Sequence, residues 1–113
     1  MPPVEDQLRL RHMLNAGKEA ADAVRGKSRT DFDRERILQL AVVRLLEIVG
    51  EAAGRVTADF RDQNSAIPWP QIVGLRNRLI HGYDSVDLDI LWEILTRDLP
   101  VLISNLEQIL AVP

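Results

Sequence analysis

Cysteine is absent from this chain of 113 residues. Its absence removes disulfide frameworks, thiol nucleophiles and cysteine-built zinc sites together. Long apolar runs are missing too, so no segment can span a bilayer and no membrane role is expected. The opening Met1-Pro2-Pro3-Val4-Glu5-Asp6 has no basic stretch followed by an apolar one, which argues against a secretory signal. A cytoplasmic protein is the expectation. Positive charge is not in surplus: 14 Lys and Arg face 17 Asp and Glu, a formal net charge of −3. Non-specific coating of nucleic acid is therefore disfavoured, whereas a local basic cleft that grips RNA through a few arginines is not. Strand signals, internal repeats and low-complexity tracts are lacking as well.

Apolar residues make up 46% of the chain, ordinary for a globular protein. Residues 1–113 are expected to form a single domain with a useful core. The apolar periodicity is helical throughout. Leu10, Met13, Leu14, Gly17, Ala20, Ala21 and Val24 form one stripe, predicting a first helix over about 4–24 that stops at Gly26. Thr30 is the expected N-cap of a second helix, with Asp31 and Asp33 in its first turn, where the helix dipole favours negative charge. That helix is expected to run to about residue 62. Its centre, 37–49, is apolar around most of its circumference, which suits a central bundle helix or one shared with a second chain.

A third helix is expected from Trp69-Pro70, with proline near the first helical position, to the left-handed cap Gly82. A fourth spans about 88–112. Pro100 lies inside it and should kink or split it. The expectation is all-α: an up-down bundle of four main helices joined by short loops.

Residues 76–83 read Arg-Asn-Arg-Leu-Ile-His-Gly-Tyr. Arg76 is followed by four residues, His81, one residue and Tyr83. The lead-in is Ile67-Pro68-Trp69-Pro70-Gln71-Ile72-Val73-Gly74-Leu75, and Leu46-Glu47-Ile48-Val49-Gly50-Glu51-Ala52-Ala53 lies upstream. With Asp98-Leu99-Pro100, these segments resemble, in order, the HEPN superfamily in its HepT-like toxin branch, over roughly residues 28–110. The resemblance implies a homodimeric ribonuclease toxin with the motif beside the dimer interface. It also implies a type VII-like pairing with an MntA-type nucleotidyltransferase antitoxin that attaches AMP to Tyr83 and silences the nuclease.

The residue chemistry agrees with that activity. RNA is cut without a metal or other cofactor when its 2′-hydroxyl attacks the neighbouring phosphate. That step needs proton exchange and a cation. His81 exchanges protons near neutral pH, and Arg76 is a permanent cation whose planar fork suits phosphate oxygens. Asn77 can orient either group. Arg78 adds positive charge, and no acid occurs between Trp69 and Tyr83. A straight helix would hold Arg76 and His81 about 140° apart, so either His81 swings at the helix end or two chains share the cleft. At a helix C-terminus the dipole would favour protonated His81.

Plainer readings stand beside these. Arg76 can pair with Glu47 or Glu51, His81 can cap its helix, and Tyr83 can pack half-buried. Arg44, Glu47, Glu51 and Arg55 can form a solvated stripe with a Glu51–Arg55 pair. Alternatively Glu47 and Glu51 support the motif. A metal site built from Glu47, Glu51 and His81 is a weak pattern, and none is expected. The second functional class is a non-catalytic nucleotide- or partner-binding subunit of a nucleotidyltransferase complex.

Overall fold

In the computed structural model, which describes residues 2–83 and 85–111, the chain opens with helix α1, Val4–Val24. Its apolar stripe faces inward: Leu10, Met13, Leu14, Gly17, Ala20 and Val24 are all buried. Gly26 then takes φ +76°, a conformation that costs glycine little and other residues more. Asp6, in the first turn, is fully buried. One carboxylate oxygen accepts from the Thr57 backbone N–H at 2.9 Å and the other from the Thr57 hydroxyl at 2.7 Å.

The expected long second helix is three helices: α2 (Arg29–Asp33), α3 (Arg36–Gly54) and α4 (Ala58–Gln63). Ser28, not Thr30, caps α2. Its hydroxyl accepts from the Asp31 N–H at 3.1 Å, and the Asp31 carboxylate accepts from the Ser28 N–H at 3.2 Å. This reciprocal pair is a capping box, and the Ser28 N–H holds the Asp31 carboxyl below its usual range. The break after Asp33 follows from Phe32, which is wholly buried with its ring 5.1 Å from that of Trp92. Carbonyls released there are recovered by the Gln39 amide, which donates to Phe32 O at 2.9 Å and Asp33 O at 3.3 Å. The second break, at Arg55–Thr57, ends in an N-cap: Thr57 Oγ accepts from the Phe60 N–H.

Two short helices follow, α5 (Trp69–Val73) and α6 (Leu75–Leu79), in place of one helix reaching Gly82. Pro70 sits in the first turn of α5, and the Trp69 indole N–H donates to Asn64 O at 3.1 Å, pinning the preceding loop. The last leg comprises α7 (Leu88–Glu93), a π-helical turn (Ile94–Asp98) and α8 (Leu99–Ile109). Asp87 caps α7 by accepting from the Ile90 N–H at 3.0 Å. In the wide turn the Leu99 N–H reaches back to Ile94 O, five residues. Pro100 follows at once. It has no N–H, and its ring would crowd the carbonyl four residues back, so the ladder widens just before it. The break expected at Pro100 is therefore present, and it begins about a turn earlier. Residue 112, the expected helix end, lies outside the described residues.

The architecture is all-α, and its four legs are α1, α3, α5–α6 and α7–α8. Helix α3 is central, packing along α1 and under α5 and α6, while α8 lies against α1. Gly50 makes the α3–α5 crossing possible: a Cβ there would stand 2.9 Å from the Ile72 carbonyl oxygen.

Candidate functional site

Helix α6 is a five-residue platform. Leu75 and Leu79 are buried and fix it to the core, leaving Arg76, Asn77 and Arg78 exposed between them. Arg76 and Asn77 line a cleft of about 330 Å³ together with Glu47, Gly50, Glu51, Gly54 and Val73. The two glycines expose the α3 backbone as part of its wall. Two of the supporting residues expected from the sequence, Glu47 and Glu51, thus do lie beside the motif.

Their charges are not spent on Arg76. Arg44 takes both, at 3.9 Å from Glu47 and 3.4 Å from Glu51. Among the described residues no carboxylate stands within ion-pair distance of Arg76, and the expected Glu51–Arg55 pair is likewise not formed. A guanidinium left free in an open cleft retains its donors for an incoming anion.

His81 and Tyr83 are placed differently. Helix α6 ends at Leu79, so His81 lies beyond the helix rather than in its last turn. Ile80 is extended and forms an isolated antiparallel bridge with Val86. The His81 N–H donates to Ser85 O at 2.8 Å, and the Asp87 N–H donates to Leu79 O at 3.0 Å. These bonds close a tight hairpin-like turn, and Gly82 bends it at φ +79°. Gly82 has the left-handed backbone expected of it, in a turn rather than as a helix cap. The expected dipole effect on His81 loses its basis, because that effect fades outside the last helical turn. Both residues are exposed, Tyr83 completely, at 100%. Half-buried packing of Tyr83 is thereby ruled out. Neither residue lines the Arg76 cleft. Among the described residues no three potential metal-ligating side chains converge, so Glu47, Glu51 and His81 do not form a cluster.

Arg78 points elsewhere. It lines a second cavity, of about 370 Å³, between α5–α6 and the last leg. That cavity brings in Arg97 and Asp98 of the π-helical turn, which sequence reading left without a role. Its one signal in the sequence is the nearby Pro100.

Residues 13–109 match the family model described as Ribonuclease HepT-like. The chain belongs to the HepT-like ribonuclease family. Several relatives carry the name "Putative RNase", among them two that match most of both chains. One, from Caldanaerobacter subterraneus subsp. tengcongensis, is 38% identical over 101 residues, covering 89% of this chain and 90% of the relative. The other, from Methanocaldococcus jannaschii, is 34% identical over 95 residues, covering 84% and 87%. A third, "Probable ribonuclease HepT" from Thermococcus cleftensis, is 38% identical over 79 residues, covering 70% and 72%. No solved structure matches the chain. In this HepT-like chain Arg76, Asn77, Arg78, His81 and Tyr83 are all exposed to solvent.

Proposed function

We propose that this HepT-like chain is a metal-independent endoribonuclease toxin that acts as a homodimer. The observation that carries this reading is the Arg76 guanidinium in an open cleft, unpaired with any carboxylate among the described residues, five residues before an exposed histidine. In the proposed reaction the RNA 2′-hydroxyl gives up its proton and attacks the adjacent phosphorus. The P–O5′ bond breaks, and the departing 5′-oxygen takes a proton, leaving a 2′,3′-cyclic phosphate. Arg76 binds the phosphoryl oxygens as charge builds on them. His81 is the proton donor or acceptor, and Asn77 orients the phosphate.

One chain does not bring His81 into the Arg76 cleft, and this supports a site shared between two chains. Helix α3 offers a face for the second copy. Ile37, Leu40, Arg44, Glu47 and Glu51 recur at spacings of three and four, so they form one stripe. Its apolar end is exposed, Ile37 at 79% and Leu40 at 44%. Its acidic end borders the cleft. Pairing through that stripe would set two motifs close together, and the partner's His81 would complete the proton exchange.

Tyr83 is the proposed control point. Its hydroxyl oxygen would attack the α-phosphorus of ATP bound by an MntA-like antitoxin, releasing pyrophosphate and leaving AMP on the ring. The new phosphate, close to Arg76 and His81 in sequence, would compete for their charge and repel RNA. Full exposure of the ring supports access by a second enzyme.

The deciding experiment is cleavage of total RNA by purified protein in EDTA, wild type beside His81→Ala and Arg76→Ala. Cleavage by wild type and a loss of about a hundredfold or more in each variant is expected. Equal cleavage by His81→Ala would overturn the assignment. The separation of His81 from the Arg76 cleft also favours a second reading, a non-catalytic partner subunit of a nucleotidyltransferase complex. No cleavage by any of the three, with a nucleotidyltransferase co-purifying, would decide for it.

A further inference from the structure

The second cavity has the composition of a ligand site. Its walls are aliphatic, from Leu46, Ile72, Leu75 and Leu99 among others, and its edge carries Gln71, Asn105, Asp98 and two arginines. At about 370 Å³ it falls within the range of small-molecule pockets and admits one heterocycle. Two features would set it beside an RNA strand held at Arg76. Arg78 is on the same short helix as Arg76, two residues on, so the two project from nearly opposite sides of that helix. A phosphodiester chain held at Arg76 that crosses α6 meets Arg78 next, with no acid between Trp69 and Tyr83 to repel it. The far wall is the π-helical turn, which supplies Ile94, Arg97 and Asp98. Such turns are uncommon and concentrate at functional sites.

We propose that this cavity is a nucleobase subsite for the RNA strand cut at Arg76. The inference rests on the ribonuclease reading above. Arg78 holds the backbone phosphate at the cavity mouth; among the described residues no carboxylate pairs with it. Arg97 is already 3.2 Å from Glu93 and adds less. The base enters the aliphatic cavity, as bases splayed from single-stranded RNA do. Asp98 accepts hydrogen bonds from the base edge, and the Gln71 and Asn105 amides both donate and accept. Guanine suits a carboxylate best, since its Watson–Crick edge offers two adjacent N–H donors. An apolar side chain of a protein partner would fill the same floor but leave the amides and Asp98 without matched partners.

The test uses a fluorescein-labelled single-stranded RNA that the wild-type protein cuts, with each nucleotide near the cut replaced in turn by an abasic one. Binding is measured to the His81→Ala protein, which does not consume the RNA. Val101 is exposed at the cavity wall, so Val101→Trp can plug the cavity without disturbing the core. One abasic position is expected to weaken binding roughly tenfold in the His81→Ala protein and less than about twofold once Val101→Trp is added. Asp98→Asn is expected to reduce the preference for guanine at that same position. If every abasic position costs the same with and without Val101→Trp, the subsite is refuted and the cavity is left to a protein partner. If the wild-type protein neither binds nor cuts any RNA, the ribonuclease reading falls, and this one with it.

Discussion

Asp6 shows how one residue fixes two distant parts of the chain. It is fully buried, and both of its oxygens are engaged by Thr57, 51 residues away. Asp6→Ala would leave the partly buried Thr57 N–H and hydroxyl without their acceptor. The expected cost is about 2 kcal/mol, read as a lower melting temperature in thermal denaturation. Asp6→Asn retains one carbonyl acceptor and should lose less. A melting curve unchanged by Asp6→Ala would mean that water replaces the carboxylate. Nothing in the sequence distinguishes Asp6 from Glu5 beside it, since both read as acids in a first helical turn. Arg76 is the opposite case. Its residue type and spacing marked it directly, although only the fold reveals that Arg44, rather than Arg76, occupies Glu47 and Glu51.

Among the elements, the crossing of α3 by α5 positions the candidate site. Helix α5 leads through Gly74 into α6, so any shift of α5 is passed to Arg76 and Asn77. Gly50→Ala sets two effects against each other. Helix propensity would gain about 1 kcal/mol. A Cβ placed 2.9 Å from the Ile72 carbonyl oxygen meets backbone, which cannot rotate away, and overpacking of this kind costs roughly 1–3 kcal/mol. A net loss of stability is expected in chemical denaturation, with RNA cleavage falling further than that loss explains. Unchanged stability and cleavage together would show that α5 adjusts freely. Gly54, whose Cβ would lie 3.9 Å from Val73, should tolerate alanine. Both glycines lie on α3 four residues apart, yet of the two only Gly50 is crowded. The helix partition was also hidden. Periodicity continues smoothly across 30–62, while the actual breaks depend on Phe32 meeting Trp92 and on Thr57 meeting Asp6.

At the scale of the whole molecule, the extents are 42 × 32 × 19 Å. Helices pack 8–10 Å apart, so the shortest dimension is about two helices thick. In so thin a bundle the central helix still has an uncovered side, and on α3 that side begins with Ile37 and Leu40. The proposed homodimer is tested there. Ile37→Asp should shift the protein toward monomer in light scattering, with its fold intact by circular dichroism because the residue is exposed. Cleavage should fall with it if two chains share the site. A dimer that survives Ile37→Asp and Leu40→Asp together would place the interface elsewhere.

The sequence by itself determined the helical class, the inward stripe of α1 and the interruption near Pro100, and it marked the segment proposed to hold the chemistry. Each of these is a local property, fixed by residue type and by spacing along the chain. Tertiary structure alone decided that the long second helix is three, that His81 leaves its helix, and that Arg76 and Arg78 open onto different cavities. Those outcomes turn on burial and hydrogen bonds between residues far apart in sequence, where one satisfied carboxylate or one missing Cβ outweighs several residues of helix propensity.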